Sequence, residues 1–269
     1  MEKNNPKISI VTITFNSEKT LEDTIQSVVS QDYDNLEYLI IDGGSKDSTL
    51  DIVKKYQDKI AVIVSEPDKG ISDAFNKGVN RATGEIVGII NSDDFLMPNA
   101  LRTIADNYDP TVDVYSGNVI FWNVDTGDEF SSIPDIKFDK LKLQYGTAHP
   151  ARFIRKDAYE KYGMYGLDFR YNMDIDLLCR FYKNGAKFIH VNKDLAKFRM
   201  GGTTADSIYK KKSDYRQFVK NYGGTEWDFR KMWLKAIIKY NLIRISIKLF
   251  GESFRFKYYK IKRTIHSFC

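Results

Sequence analysis

Ile86-Val87-Gly88-Ile89-Ile90-Asn91-Ser92-Asp93-Asp94 decides the reading of this chain. The apolar run reads as a buried strand, and it breaks off into two adjacent carboxylates. Such neighbours repel each other, and burial raises their pKa unless a cation or donors hold them ionised. Stability is a poor reason for placing them there. Hard oxygen ligands beside an open crevice suit Mg²⁺ or Mn²⁺, ions that complete their shells with phosphate oxygens. The first expectation is a metal–diphosphate site at this strand end.

Towards the N-terminus the pattern repeats. Lys7–Phe15, Glu37–Ile41, Ile60–Ser65 and Glu85–Ile90 read as strands. Between them, Thr20–Ser30, Ser48–Tyr56 and Ile71–Arg81 carry apolar residues at helical spacing. Strand–helix alternation with short loops predicts an α/β fold: an open, mostly parallel sheet covered on both faces. Polar loops follow each strand at Asn16-Ser17, Asp42-Gly43-Gly44-Ser45, Glu66-Pro67-Asp68 and Asn91 to Asp94. Ligands bind at that edge in open α/β sheets, so all four loops are expected around one crevice.

Beyond residue 110 the pattern is less regular. Val112–Tyr115, Val119–Trp122, Arg152–Arg155, Lys187–Val191 and Leu195–Phe198 are strand-like. Asp157–Tyr162 and Asp174–Lys183 read as helices, and Lys137–Gln144 precedes Gly146-Thr147-Ala148-His149-Pro150. Ser207–Tyr222 and Trp227–Phe250 are expected to be helical. From Ala205 onward there are 16 Lys+Arg against 5 Asp+Glu, a net +11; taken from totals of 41 and 36, this leaves 25 against 31, or −6, for residues 1–204. An acidic body with a basic tail points to an anionic partner for the tail. Two cysteines, Cys179 and Cys269, form no disulfide framework and fit a reducing cytoplasm. The polar start and the absence of a long uncharged apolar run lead us to expect neither a secretory leader nor a membrane span.

On spacing alone several motifs read two ways. Asp42-Gly43-Gly44-Ser45-Lys46-Asp47-Ser48-Thr49 ends a strand and opens a helix; Asp42 can accept from a base or ribose, or the segment is a turn whose Asp47 or Ser48 caps the helix. It is neither a Gly-Lys-Ser/Thr phosphate loop nor a Gly-x-Gly-x-x-Gly fingerprint. Asp73, Asn76 and Lys77 share one helical face, as binding groups or as a solvated surface.

In order, Ile10-Val11-Thr12-Ile13-Thr14-Phe15-Asn16, the Asp42–Thr49 segment, Glu66-Pro67-Asp68-Lys69-Gly70-Ile71-Ser72-Asp73-Ala74-Phe75-Asn76-Lys77-Gly78, and Asn91-Ser92-Asp93-Asp94 resemble the family 2 glycosyltransferases. The resemblance covers about residues 7–204 and is closest to the bacterial branch that builds capsule, O-antigen and colanic-acid-type exopolysaccharide. It implies the GT-A fold, a nucleotide-sugar donor, Mn²⁺ or Mg²⁺, and inversion at the anomeric carbon. By resemblance, Thr12 and Asn16 line the nucleotide pocket, Asp42 and Asp68 contact the uracil–ribose half, and Asp73 belongs to the same donor side. Asp93 approaches ribose or donor sugar, and Asp94 binds the metal on the diphosphate, a DXD-like arrangement. The family often has an acid where Gly43 stands, so base recognition leans on backbone groups or Asp68.

The segment Asp168-Phe169-Arg170-Tyr171-Asn172-Met173-Asp174-Ile175-Asp176 resembles the one that carries the family's catalytic Asp, at Asp174. Many relatives have Glu where Met173 stands. Without the family, Asp174 reads as a helix N-terminal carboxylate; Asp176 is the more structural acid, paired with Arg180 at i+4. His149 falls on the acceptor-side loop, where it faces acceptor or diphosphate. Arg199-Met200-Gly201-Gly202-Thr203-Thr204 matches a mobile loop in which Arg199 or Thr203 closes over the diphosphate, or is a plain turn. His190 reads as core.

The expected domains are 1–204, a GT-A unit with a nucleotide-sugar-binding half at about 7–110 and an acceptor-binding half at about 111–204, and 205–269, a basic amphipathic helical region. The expected function is inverting, metal-dependent transfer of a hexosyl or N-acetylhexosaminyl unit from a UDP-sugar to a glycan hydroxyl. The expected acceptor is a polyprenyl-diphosphate-linked oligosaccharide in surface polysaccharide synthesis. The tail, with Trp227, Trp233, Ile238, Leu242 and Ile245 among Lys and Arg, is expected to lie on an anionic membrane. That places the protein in the cytoplasm, peripheral at the inner face of the membrane. The tail otherwise packs on the body or on a second copy in a homo-oligomer. No nucleic-acid motif accompanies its charge. A non-catalytic GT-A-like scaffold at a membrane surface is the alternative, and intact Asp94 and Asp174 argue against it. A nucleotidyltransferase would want a Gly-x-Gly-x-x-Arg-like loop where Thr14-Phe15-Asn16-Ser17-Glu18-Lys19 stands.

Overall fold

A computed structural model of the chain describes residues 5–134, 149–200 and 208–251. The expected Lys137–Gln144 segment, Gly146 to Ala148, Thr203 in its Gly-Gly loop, and the end of the tail lie outside the described residues. The N-terminal half alternates β1 (Ile8–Thr14), α1 (Leu21–Val29), β2 (Leu36–Asp42), α2 (Thr49–Lys55), β3 (Val62–Ser65), α3 (Ile71–Arg81) and β4 (Ile86–Asn91). Then come β5 (Phe95–Leu96), α4 (Ala100–Asp106), β6 (Val114–Trp122), β7 (Glu129–Ser132), β8 (Arg152–Arg155), α5 (Lys156–Tyr162), α6 (Met173–Lys183), β9 (Phe188–Arg199), α7 (Lys212–Asn221) and α8 (Glu226–Phe250).

All nine described strands belong to one sheet, in the order β3-β2-β1-β4-β8-β6-β9-β5, with β7 branching from β6. Side-chain alternation sorts the first half into two layers. Ile8, Ile10, Tyr38, Ile40, Ile86 and Ile90 face α1, α2 and α4. Val11, Leu39, Ile41, Val87 and Ile89 face α3, α5 and α6. Gly78 lets α3 lie close on β1, since a Cβ there would stand 2.3 Å from Val11 Cγ1.

The expectation of a mostly parallel sheet holds for β1 to β4 and fails beyond them. Four ladders are parallel (β1–β2, β1–β4, β2–β3, β6–β9) and four antiparallel (β4–β8, β5–β9, β6–β7, β6–β8), so the described sheet is mixed. Parallel neighbours need a crossover of a dozen or more residues, whereas β6 and β7 are joined by a short hairpin. The paired short strands expected at 112–122 and 187–198 are one long strand each, β6 and β9. Their register shifts at Gly117, Asn118 and Val119 opposite Val191 to Ala196. That irregularity interrupts the apolar alternation, which is why each strand reads as two pieces.

Past the sheet, α7 buries Phe218 in the same core as Leu177 and Phe181 of α6. A capping box of Thr225 and Asp228 starts α8, and α8 packs on α7 and on the turn at Ile208–Lys211. Its apolar residues fall on two opposite sides. Phe229, Trp233 and Tyr240 face the body, where Tyr209 and Tyr215 meet Trp233. Trp227, Leu234, Ile238, Leu242, Ile245 and Leu249 are all more than half exposed. At 100° per residue they fall within an arc of about 80°. Among the described residues no helix is long and apolar enough to cross a membrane.

Candidate active site

Short polar side chains lace the loops at the C-terminal ends of β1, β2 and β4. Asn16 turns the chain with φ 49°; its N–H donates to Ser45 Oγ (2.8 Å), and its Oδ1 accepts from Lys46 N (2.9 Å). Ser17 N donates to Thr49 Oγ1 (2.8 Å), and Ser17 Oγ meets Ser92 Oγ at 2.8 Å. Thr24 Oγ1 donates to the carbonyl of Asp94 (2.8 Å). The fourth loop closes in at Gly43, where a Cβ would stand 2.5 Å from Asp68 Oδ2. The Asp68 carboxylate thus fills the space a side chain at 43 would take, and its Oδ1 accepts from Gly70 N (2.8 Å). These contacts bring the four loops together at one edge of the sheet.

Asp93 and Asp94 lie in the turn between β4 and β5. Asp94 is fully buried. One of its oxygens accepts from Arg199 N (3.1 Å), while Oδ2 has no hydrogen-bond partner among the described residues. Burial, and then the Asp93 charge, push the Asp94 carboxyl well above the usual range; burial raises Asp93 too. An unpaired buried carboxylate oxygen is costly and is the kind of atom a hard cation satisfies. Among the described residues no group of three or more His, Cys, Asp or Glu could cage a metal. Two adjacent carboxylates nevertheless suit an ion that takes its remaining ligands from phosphate and water.

Asp174 lies in the first turn of α6. Its Oδ1 accepts from Ile175 N (2.8 Å), and Arg152 NH2 approaches Oδ2 to 4.0 Å. Burial raises its pKa and the Arg152 charge opposes the rise. The turn His149–Ala151 just before β8 packs against β4, β5, β6 and β9. There the His149 ring stacks on Phe75 (4.7 Å), with neither ring nitrogen hydrogen-bonded among the described residues. Burial and Arg152 depress its pKa to about 3, so the imidazole is neutral.

Other candidates sit less openly. Thr12 is buried, its hydroxyl 3.0 Å from Tyr38 Oη. Asp42 is buried too, and its carboxylate accepts from Gly44 N, Ser45 N, Ser45 Oγ and Ser65 Oγ. Both lie at the C-terminal half of their strands, β1 and β2. Asp73 accepts from Lys69 N (3.0 Å), which lowers its pKa, and pairs with Lys77. Beside it Asn76 pairs through its side-chain amide with Tyr165 N (3.0 Å) and O (2.9 Å). The Arg199 side chain reaches Asp93 O (3.2 Å) and Asp23, and lies over Trp122 and Phe95. His190 is partly buried and bonds Asn118 Oδ1 (2.8 Å). Sequence reasoning misses Arg152, whose only signal is a charge at the head of an apolar strand. It also misses Asp214, whose partners lie 42 to 44 residues away.

Comparison with known proteins bears on the family and the fold. Residues 9–163 match Glycosyl transferase family 2. A PGL/p-HBAD biosynthesis glycosyltransferase of Mycobacterium tuberculosis is 30% identical over 196 residues, 69% of this chain and 75% of its own. The putative glycosyltransferase EpsE of Bacillus subtilis is 28% identical over 210 residues, 72% and 73% of the two chains. Among solved structures, S. aureus TarS 1-349 in complex with UDP superposes with a TM-score of 0.61 at 21% identity, over 78% of this chain and 62% of that one. The mannosyltransferase PcManGT from Pyrobaculum calidifontis, in complex with GDP-Man and Mn²⁺, gives 0.57 at 18% identity, over 80% and 62%. With more than half its length inside the family match and a mixed α/β sheet of GT-A type, the chain belongs to glycosyl transferase family 2.

Proposed function

We propose that the chain is an inverting, divalent-metal-dependent hexosyl- or N-acetylhexosaminyltransferase. Its donor is a UDP-sugar, and its acceptor is a hydroxyl of a polyprenyl-diphosphate-linked glycan in surface polysaccharide synthesis. The observation that carries this reading is the buried, half-satisfied Asp94 in the turn after β4. Asp94, with Asp93, would hold Mn²⁺ or Mg²⁺, and the ion would neutralise charge on the leaving diphosphate. The relative solved with UDP and the one solved with GDP-Man and Mn²⁺ support a metal and a nucleotide.

On this reading Asp174 is the general base. An acceptor hydroxyl is a weak nucleophile and needs a positioned carboxylate to take its proton as it attacks. Burial raises the affinity of Asp174 for that proton, and the Arg152 charge opposes the rise. A single displacement with one base and no covalent intermediate inverts the anomeric centre, by the face logic of inverting glycosidases. Thr12, Asn16, Asp42, Asp68 and Asp73 shape the nucleotide side, while His149, Arg199 and Thr203 serve the diphosphate or acceptor side. The outward apolar stripe of α8, with Arg230, Lys231, Lys235 and Lys248 beside it, supports docking on an anionic membrane at its cytoplasmic face.

Calorimetric titration with UDP and with GDP, each with and without Mn²⁺, tests the donor site. UDP binding that requires Mn²⁺ and disappears in Asp94→Asn is the expected outcome. A preference for GDP overturns the donor assignment, and binding of neither nucleotide overturns the enzyme reading.

A further inference from the structure

We propose that Asp214, on α7, is a positioning residue for the catalytic base: its carboxylate holds the loop that aims Asp174. The inference rests on the reading of Asp174 as base.

α6 begins without a cap of its own, because the Asn172 side chain makes no capping hydrogen bond. The backbone N–H groups of Arg170, Tyr171 and Asn172 instead converge on one oxygen, Asp214 Oδ2, at 3.0, 2.7 and 3.1 Å. Three successive amides pointing at one spot, before the positive end of a helix, form an anion-binding concavity. Here the chain fills it with its own carboxylate, which is 1% exposed. Hydrogen bonds to a charged acceptor are short and about twice as strong as neutral ones, and they offset the cost of burying Asp214.

The rest of α7 and α6 completes the clamp. At the C-terminal end of α7, Tyr222 Oη lies 3.0 Å from Asp176 O and 3.1 Å from its Oδ1. Asp176 Oδ2 in turn accepts from Arg180 Nε (2.9 Å), and the guanidinium donates to the carbonyls of Tyr162 (2.9 Å) and Met164 (2.6 Å). With Asn76 on Tyr165, the loop 163–172 is tied at its start by α3 and α6 and at its end by α7. Asp174 follows two residues later. A base displaced by about 1 Å loses roughly a hundredfold in rate, so the final tie matters most. α7 lies beyond residues 9–163 of the family match, so this aim is set by the chain's own C-terminal segment. Phe218 and Val219 are buried independently of Asp214 and keep α7 docked when the carboxylate is altered.

The experiment measures Mn²⁺-dependent nucleotide release with the full-length chain. The donor is whichever of UDP-glucose, UDP-galactose, UDP-N-acetylglucosamine and GDP-mannose the wild type turns over fastest. Asp214→Ala is expected to lower kcat by about 10²-fold, with donor KM and calorimetric nucleotide affinity unchanged within twofold. Asp214→Asn, which keeps an acceptor oxygen but not the charge, is expected to fall between; it decides the matter if the alanine variant fails to fold. Unchanged kcat with a lowered melting temperature overturns the proposal and leaves Asp214 structural. A parallel loss of donor affinity also overturns it. Full activity in Asp174→Asn instead overturns the base reading itself, a failure visible without any Asp214 variant.

Discussion

Arg152 bears on how readily Asp174 gives up its proton, because it opposes the effect of burial on that carboxyl more strongly than the second cation, Lys211. If Asp174 is the base, as proposed, it must be ionised to act. Its raised pKa therefore places the acid limb of the rate profile above the pH of an ordinary aspartate, and activity falls as pH drops through it. Replacing Arg152 by Met removes the opposing charge and raises the pKa further. The acid limb of kcat/KM in Arg152→Met is expected to move up by about one pH unit or more, with nucleotide affinity unchanged. An unmoved limb in a folded variant rules out the coupling. Asp93 and Asp94 draw the eye in the sequence because two adjacent acids after an apolar strand stand out locally, whereas Asp174 is singled out only by the family resemblance. Arg152 was not legible, because its role comes from a contact between β8 and α6. The open reading of Asp42 resolves through four donors that only the folded turn brings to it.

Among the elements, α3 shows how closely a helix can approach its strand. Alanine at Gly78 gains about 1 kcal/mol of helix propensity, but its Cβ stands 2.3 and 3.2 Å from the two Val11 methyls. Overpacking a core in this way costs about 1–3 kcal/mol, so Gly78→Ala is expected to lower unfolding free energy. The double variant with Val11→Ala is expected to lose less than the two single variants summed. Denaturant titration of all four proteins checks it, and additive losses count against the contact. α1 to α3 and β1 to β4 were readable to within a residue or two, since each carries one period from end to end. β5, α4 and β7 were not. β5 is two residues long, and β7 pairs only with the bulged β6.

For the molecule as a whole, α8 is the element whose surroundings are least complete. Its inner side is occupied by Tyr209 and Tyr215, yet Leu242 and Ile245 on the outer side are 60% and 55% exposed. If a bilayer takes that side, each leucine or isoleucine buried contributes about 1.5–3 kcal/mol. Leu242→Glu with Ile245→Glu is then expected to weaken binding to phosphatidylglycerol vesicles by at least about 10²-fold, while Mn²⁺-dependent nucleotide binding persists. Equal vesicle binding by variant and wild type removes the membrane from the account. The basic tail was legible as composition; its two-sidedness was not, because the tyrosines that claim one side come from a different segment. A last consequence comes from the run of α6 into β9. The helix carries Asp174 at its start, and the strand ends with its backbone N–H on Asp94. Four residues join them, with Gly185 at φ 84° and Lys187 N bonded to Asp113. An insertion there would rotate one acid out of phase with the other, while the exposed hairpin tip at Val124–Asp128 can lengthen freely. Drift in chain length among descendants of this sequence should therefore collect at the hairpin and spare the joint between helix and strand.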